Sequence, residues 1–362
     1  MSTLSGPVLA APGRILAVNP VSFPGGAETT LLRLLRGLAA RGWRVRATTP
    51  DGGPLADAIV AAGHDWHPLE LGGLGRGQGA AALAAWPAAA RLARDSDVVL
   101  LNGSVCGRLL PALSSRRQLR LLDVNDMVGR VPRFWRWADV ILADTEAVRR
   151  RLVELDPRLD PLVVGAPVDL EPPPADPPWP PGAGPVIGFV GRLEPRKGVH
   201  HLLDAVPSIR ATQPAARIVL IGDEPYGSDP GYTRRLRERA AELGVLQVGW
   251  QPNAPGLMRH LDVLVLPSES EPFGTVLAEA MAVGTPVVAS AVDGLVEVVE
   301  DGVSGRLVPP GDPPALAEAV LDVLARHAQM AAAAPARARR WGTEAYVERI
   351  DALLRARLKG PR

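Results

Sequence analysis

Short apolar runs separated by amphipathic stretches organise the first half of the chain. Arg14 to Asn19, Arg44 to Thr49, Val98 to Asn102, Leu119 to Val124, Val140 to Ala143 and Leu162 to Val164 are too short for helices and read as strands. Glu28 to Arg41 and Leu55 to Ala62 instead repeat their apolar residues at helical spacing. Such alternation predicts parallel βαβ units, whose ligands gather at the loops after the strand carboxyl ends.

A break follows. Between Val168 and Pro185, proline stands at 172, 173, 174, 177, 178, 180, 181 and 185, which excludes helix and central strand and predicts a stiff linker over 171–185. The alternation then restarts with strands at Val186 to Val190, Arg217 to Ile221, Val245 to Val248 and Val263 to Leu266. Helices are expected at Gly198 to Ala211 and Tyr232 to Leu243. Two similar α/β domains, 1–170 and 186–342, result. The last segment, Trp341 to Leu358, sets Tyr346, Val347, Ile350, Leu353, Leu354 and Leu358 at helical spacing, so a terminal helix over 343–362 is expected to pack back on the first domain.

Charge and composition narrow the partners. With 40 Lys+Arg against 39 Asp+Glu, no long-range field advertises nucleic acid or an anionic membrane. The single cysteine, Cys106, excludes an intramolecular disulfide and a cysteine zinc site, and reads as a small buried apolar residue in a reducing compartment. Met1 to Pro12 lacks the basic region of a secretory signal, and Ile15 to Val18 is too short to span a bilayer. A soluble cytoplasmic protein, monomer or homodimer, with a loose first dozen residues is expected.

The chemistry concentrates between Pro267 and Ser290. Pro272 biases Glu271 toward extended backbone, so a helix begins only near Gly274 and Thr275, with Glu279 about one turn inside. The first amides of that helix, and its dipole, favour an anion. Glu271 and Glu279 are then left for hydroxyls, a combination that suits a sugar joined to a diphosphate. Upstream, Gly188-Phe-Val-Gly-Arg-Leu-Glu-Pro-Arg-Lys-Gly198 is a strand feeding a loop that carries Arg192, Arg196 and Lys197. Arg192 offers a forked donor set and Lys197 a mobile point charge, which together neutralise a departing diphosphate. The order of a P-loop is absent. In the first half, Phe23-Pro-Gly-Gly-Ala-Glu28 opens a helix, and Gly25 and Gly26 admit close approach of a ligand.

These segments, in this order, together with Asp301-Gly-Val-Ser-Gly-Arg-Leu-Val-Pro-Pro-Gly311, resemble the retaining GT-B glycosyltransferases of family 4 over nearly the whole chain. The resemblance implies an α/β GT-B fold, two Rossmann-like doubly wound domains facing a central cleft, with the acceptor on the first and the donor on the second. It implies transfer of a sugar from a UDP- or GDP-linked donor to an acceptor hydroxyl in secondary-metabolite, glycolipid or polysaccharide synthesis. Gly191, Arg192 and Lys197 would meet the donor diphosphate, and Glu279 the ribose. Glu271 with Phe273, Gly274, Thr275 and Val276 would meet the transferred sugar and phosphate. Trp250, within Val248-Gly-Trp-Gln251, would lie near the base, and Gly25 and Gly26 would approach from the first domain.

Two departures stand out from that pattern. Where the family carries a histidine near the reacting carbon, this chain reads Leu122-Asp-Val-Asn-Asp-Met127, with Asn125 at the position. An amide bonds a hydroxyl but takes no proton at neutral pH, so Asp126 is the alternative base, with a turn or helix cap as its competing role. Asp293-Gly-Leu-Val-Glu297 replaces paired glycines and a proline, leaving Glu297 either beside the sugar or facing solvent.

The six histidines, His64, His67, His200, His201, His260 and His327, show no metal-ligand spacing, and no Asp-x-Asp pair closes a strand, so metal-independent transfer is expected. Phe134, Trp135 and Trp137, beside Arg130, Arg133 and Arg136, suit stacking on a sugar, a lipid headgroup contact, or core packing. A hydrolase using Glu271 and Glu279, a nucleotide-sugar epimerase and a silent sugar-nucleotide binder are the competing activities.

Overall fold

The computed structural model describes residues 12–72, 81–113, 118–227 and 229–359. The loose start expected for Met1 to Pro12 lies, up to Ala11, outside them, as do positions 360–362 of the expected terminal helix. The chain divides into two compact units, one of residues 1–143, 151–164 and 344–362, the other of residues 144–150 and 165–343.

Among the described residues, the first unit holds β1 (Arg14–Val18), β2 (Arg44–Thr49), β3 (Asp65–Pro68), β4 (Val98–Asn102), β5 (Leu119–Val124), β6 (Val140–Ala143) and β7 (Leu162–Val163). They form one parallel sheet in the order β3-β2-β1-β4-β5-β6-β7. Every residue of β4 is buried, as a strand covered on both faces requires. The helices are α1 (Gly26–Ala40), α2 (Pro54–Ala61), α3 (Ala81–Ala93) and α4 (Glu146–Leu155), the last grouping with the second unit up to Arg150. A 3-10 segment runs over Ser104–Leu113.

The second unit holds β8 (Val186–Val190), β9 (Arg217–Ile221), β10 (Leu246–Gly249), β11 (Val263–Leu266), β12 (Val287–Ser290) and β13 (Gly305–Val308). These are again parallel, in the order β10-β9-β8-β11-β12-β13. Its helices are α5 (Val199–Thr212), α6 (Pro230–Glu242), α7 (Ala254–Met258), α8 (Thr275–Ala282), α9 (Leu295–Val298), α10 (Pro313–Ala325) and α11 (His327–Ala338). The proline-rich stretch is part of this unit: Trp179 is buried in its core, and the carbonyls of Pro173 and Pro180 accept from Asn253 and Arg217, each at 2.9 Å.

The final helix, α12 (Thr343–Lys359), buries Tyr346, Val347, Ile350 and Leu354 in the first unit's core beside Leu31, Leu35 and Leu38. Trp43 Nε1 donates to Asp351 at 2.6 Å, and Arg41 pairs with Glu344. Among the described residues, no helix is long and apolar enough to cross a membrane.

Each sheet reverses its strand order once near its middle, between β1 and β4 and between β8 and β11. At such a point, neighbouring loops leave in opposite directions and open a crevice at the strand carboxyl ends. The loops that carry Gly25 and Gly26, Arg192 to Lys197, and Glu271 leave from β1, β8 and β11.

Candidate functional site

In the second unit, the loop after β8 ends in a 3-10 turn, Pro195–Lys197, followed by Gly198 at φ +65°. A Cβ on Gly198 would stand 1.8 Å from the carbonyl oxygen of Pro267, so glycine alone lets this loop lie against the loop after β11. Lys197 Nζ thereby reaches Glu271 Oε2 at 2.5 Å. Arg196 Nη1 donates to the Ser270 carbonyl at 2.8 Å and stands 3.5 Å from the same carboxylate. Its other end and Arg192 share Glu194, at 2.8 and 3.2 Å. Arg192 also lies over the Tyr226 ring, 5.7 Å from its centre.

Beyond Glu271 the chain passes Pro272 and enters α8 at Thr275, with Gly274 at φ +78° before it. The helix therefore starts where the sequence predicts. Glu279 and Phe273 are buried, and Phe273 packs edge-on against Trp341 with ring centres 5.5 Å apart.

Asp293 fixes the backbone of Glu271. Its Oδ2 accepts from Glu271 N at 3.0 Å and from Ser270 Oγ at 2.6 Å, while Gly294 N donates to the Glu271 carbonyl at 3.1 Å. Asp293 adopts φ +40°, a conformation costly for a side-chain-bearing residue, and these bonds offset that cost. Burial pushes the Glu271 carboxyl up, but Lys197, Arg196 and Arg192 outweigh it and hold the group below the ordinary carboxylate range. Burial pulls the Lys197 ammonium down, Glu271 opposes it and the nearby Arg196 charge adds to the lowering. Glu271 is thus an acceptor of hydrogen bonds at neutral pH, unsuited to the proton-donating role of a hydrolase acid.

The first unit places a different chemistry at its strand reversal. Asn102 Nδ2 donates to Asn19 Oδ1 at 2.9 Å, and Asn125 Nδ2 donates to Asn102 Oδ1 at 3.3 Å, forming an amide ladder across the ends of β1, β4 and β5. Asp126 is exposed and accepts from Ser104 Oγ at 2.6 Å, the turn-anchoring role. Asp123, 6% exposed, has an Oδ1 without a partner, and burial, then the charge of Asp126, raise its carboxyl to about 7. Gly25 N donates to Glu28 Oε2 at 2.9 Å, closing the first turn of α1, which begins at Gly26.

The remaining expected residues divide. Gly191 follows β8, and Trp250 stands 41% exposed just past β10. The Glu297 carboxylate accepts from Glu146 N at 2.9 Å and Ala147 N at 2.8 Å, so it caps α4 within the second unit and is not a free sugar ligand. Of the aromatic cluster, Trp135 is buried, Trp137 is exposed, and Arg136 is taken by Asp156 at 2.7 Å. Sequence reasoning missed Asp293, Glu194 and Asp123 as site residues, because each owes its role to burial or to a partner brought in by the fold.

The model for the family described as glycosyl transferases group 1 matches residues 184–326. The D-inositol 3-phosphate glycosyltransferase of Corynebacterium urealyticum is 39% identical over 181 residues, covering 47% of this chain and 43% of that protein. That of Salinispora arenicola is 42% identical over 142 residues, covering 37% and 32%. The match thus spans less than half the length of these relatives. Among solved structures, HepE of Anabaena in complex with UDP-glucose superposes with TM-score 0.82 at 23% identity, covering 95% of this chain and 100% of that one. The sucrose-phosphate synthase of Thermosynechococcus elongatus gives 0.77 at 23%, covering 95% and 98%. These likenesses establish the fold, two parallel Rossmann-like sheets in the GT-B manner. The family match is confined to the second half of the chain, where the charged loops lie.

Proposed function

We propose that the protein transfers a sugar from a UDP-linked donor to an acceptor hydroxyl with retention of configuration at the anomeric carbon. The observation that carries this reading is the Lys197–Glu271 contact at the β8/β11 reversal, beside the start of α8. Lys197 and Arg192 meet the diphosphate, and the helix dipole adds to their field. Glu279 takes the ribose hydroxyls, and Glu271, kept ionised, accepts from hydroxyls of the sugar.

As the bond from the anomeric carbon to the diphosphate oxygen breaks, negative charge grows on the diphosphate, and the two cations stabilise it. The acceptor oxygen attacks the same face and its proton passes to the departing phosphate oxygen, so the nucleoside diphosphate leaves protonated and the new glycosidic bond is complete. No protein base is required, which fits an amide at Asn125, and the cations supply the counter-charge without a metal. UDP is favoured over GDP because the structural neighbour HepE is described with UDP-glucose. A small hydroxyl-bearing acceptor suits a near-neutral chain with no basic field.

Calorimetry with UDP, GDP and their glucose conjugates, followed by transfer to a panel of polyol and glycoside acceptors, tests this. UDP binding at least about tenfold tighter than GDP, with an axial product from an axial donor, is expected. Sugar release that is equally fast without acceptor would identify a hydrolase instead.

A further inference from the structure

We propose that His200, His201 and Glu269 form a binding site for a divalent transition-metal ion, with zinc as the fitting ion. The two histidines sit in the first turn of α5, and Glu269 lies in the loop after β11. Neighbouring residues on a helix point about 100° apart, yet these two rings converge, with centres 3.9 Å apart and planes tilted by 45°. One ligand atom from each of the three residues falls within 4.8 Å of the others. His200 Nε2 is 3.8 Å and His201 Nε2 is 3.6 Å from Glu269 Oε1. Bonds of about 2.1 Å to a tetrahedral zinc separate its ligands by roughly 3.4 Å, which the two ring-to-carboxylate distances approach within a few tenths of an ångström.

Two independent features point to a ligand here. His201 Nε2 is buried without a hydrogen-bond partner, a costly state for a ring nitrogen that a metal bond relieves. His200 Nδ1 lies 3.0 Å from Tyr232 Oη, the outer hydrogen bond by which a metal-binding imidazole is oriented with its other nitrogen free.

The ion has a route in. His200, Tyr232 and Glu269 line a cavity of about 530 Å³, where Asp204 and Asp229 offset the charges of Arg235 and Arg239. Glu269 is half-exposed, so a fourth position is open to water. Glu269 N donates to the Arg196 carbonyl at 2.8 Å, and Glu271 is two residues further on. A bound ion therefore pins the start of α5 to the loop that carries Glu271, with no part in bond breaking. The proposal stands apart from the donor reading and is tested apart from it.

The untagged, chelator-stripped full chain is titrated calorimetrically with zinc chloride, and then with cobalt to read its visible absorption. One ion per chain is expected. Glu269→Gln and His201→Ala should each weaken binding at least tenfold, and the double variant His200→Ala/His201→Ala should lose the four-coordinate cobalt spectrum. Glu269→Gln changes a half-exposed side chain and keeps the fold, which circular dichroism verifies, so its result stands even if the histidine variants fold poorly. Wild-type binding no stronger than that of Glu269→Gln, or a cobalt spectrum of an ion surrounded by water alone, overturns the site and leaves the histidines as packing groups.

Discussion

The two units share one strand order, with β7 added at the edge of the first sheet, and reverse it at equivalent places, yet they equip those places in opposite ways. The second unit gathers charge: Lys197, Arg196 and Arg192 around Glu194 and Glu271, with Asp293 locking the backbone. The first presents neutral amides, Asn19, Asn102 and Asn125, with one buried carboxyl, Asp123, raised to about 7. Topology supplies a crevice at the strand ends, and the residues on the loops decide what it does there. In the proposed function the charged crevice is the place for a diphosphate and the amide-lined one the place for hydroxyls.

Removing the charge of Glu271 breaks this contrast most directly. Glu271→Gln releases Lys197 from its partner, so UDP should bind as tightly as to the wild type or more tightly, while turnover falls by about 10²–10³-fold from the lost hold on the sugar. Parallel loss of UDP affinity and turnover, measured by calorimetry and initial rates, would count against separate duties for Lys197 and Glu271.

The buried acid of the first unit predicts a pH effect. Folded Asp123 keeps its proton to about 7, whereas the unfolded chain ionises near 3.8, so between those values the unfolded state holds fewer protons and stability falls as pH rises. The fall is about 4 kcal/mol at most, and Asp123→Asn should abolish it in urea unfolding at about pH 5 and about pH 8. An unchanged pH slope would show that Asp123 ionises freely.

Smaller effects sharpen the comparison. Asp293→Ala loses bonds to Ser270 and Glu271 while keeping the unfavourable φ, and should cost about 2 kcal/mol in urea unfolding, with a raised KM for the donor. Asn125→Ala removes the last rung of the amide ladder, for about 1 kcal/mol, and should leave the pH dependence of the rate unmoved because an amide does not titrate.

Much of this architecture is written locally. Val98–Asn102, Leu119–Val124, Val186–Val190 and Val263–Leu266 fall where the apolar runs stand, because a strand covered on both faces needs a continuous run. At the Asp65–Pro68 edge strand the sequence marks only a strand start, between His64 and His67, since its residues are largely polar and half-exposed. Ala81–Ala93, alanine-rich and interrupted by Pro87, carries no clear amphipathic stripe. The site shows the same division. Arg192, Lys197 and Glu271 were legible because each sits a few residues past a strand end. Asp123 and Asp293 were not, since one owes its character to burial and the other to a turn that folds back on Glu271. The convergence of His200 and His201 on Glu269 was equally hidden, because no local spacing joins α5 to the loop after β11.

Calorimetric titration of UDP and of uridine into the wild type and into Lys197→Met, a variant that keeps the apolar stem, tests the central claim most directly. The account predicts that UDP binding weakens about a hundredfold in the variant, roughly 2.7 kcal/mol, while uridine binds both proteins alike. Equal UDP affinity in the two proteins would contradict it.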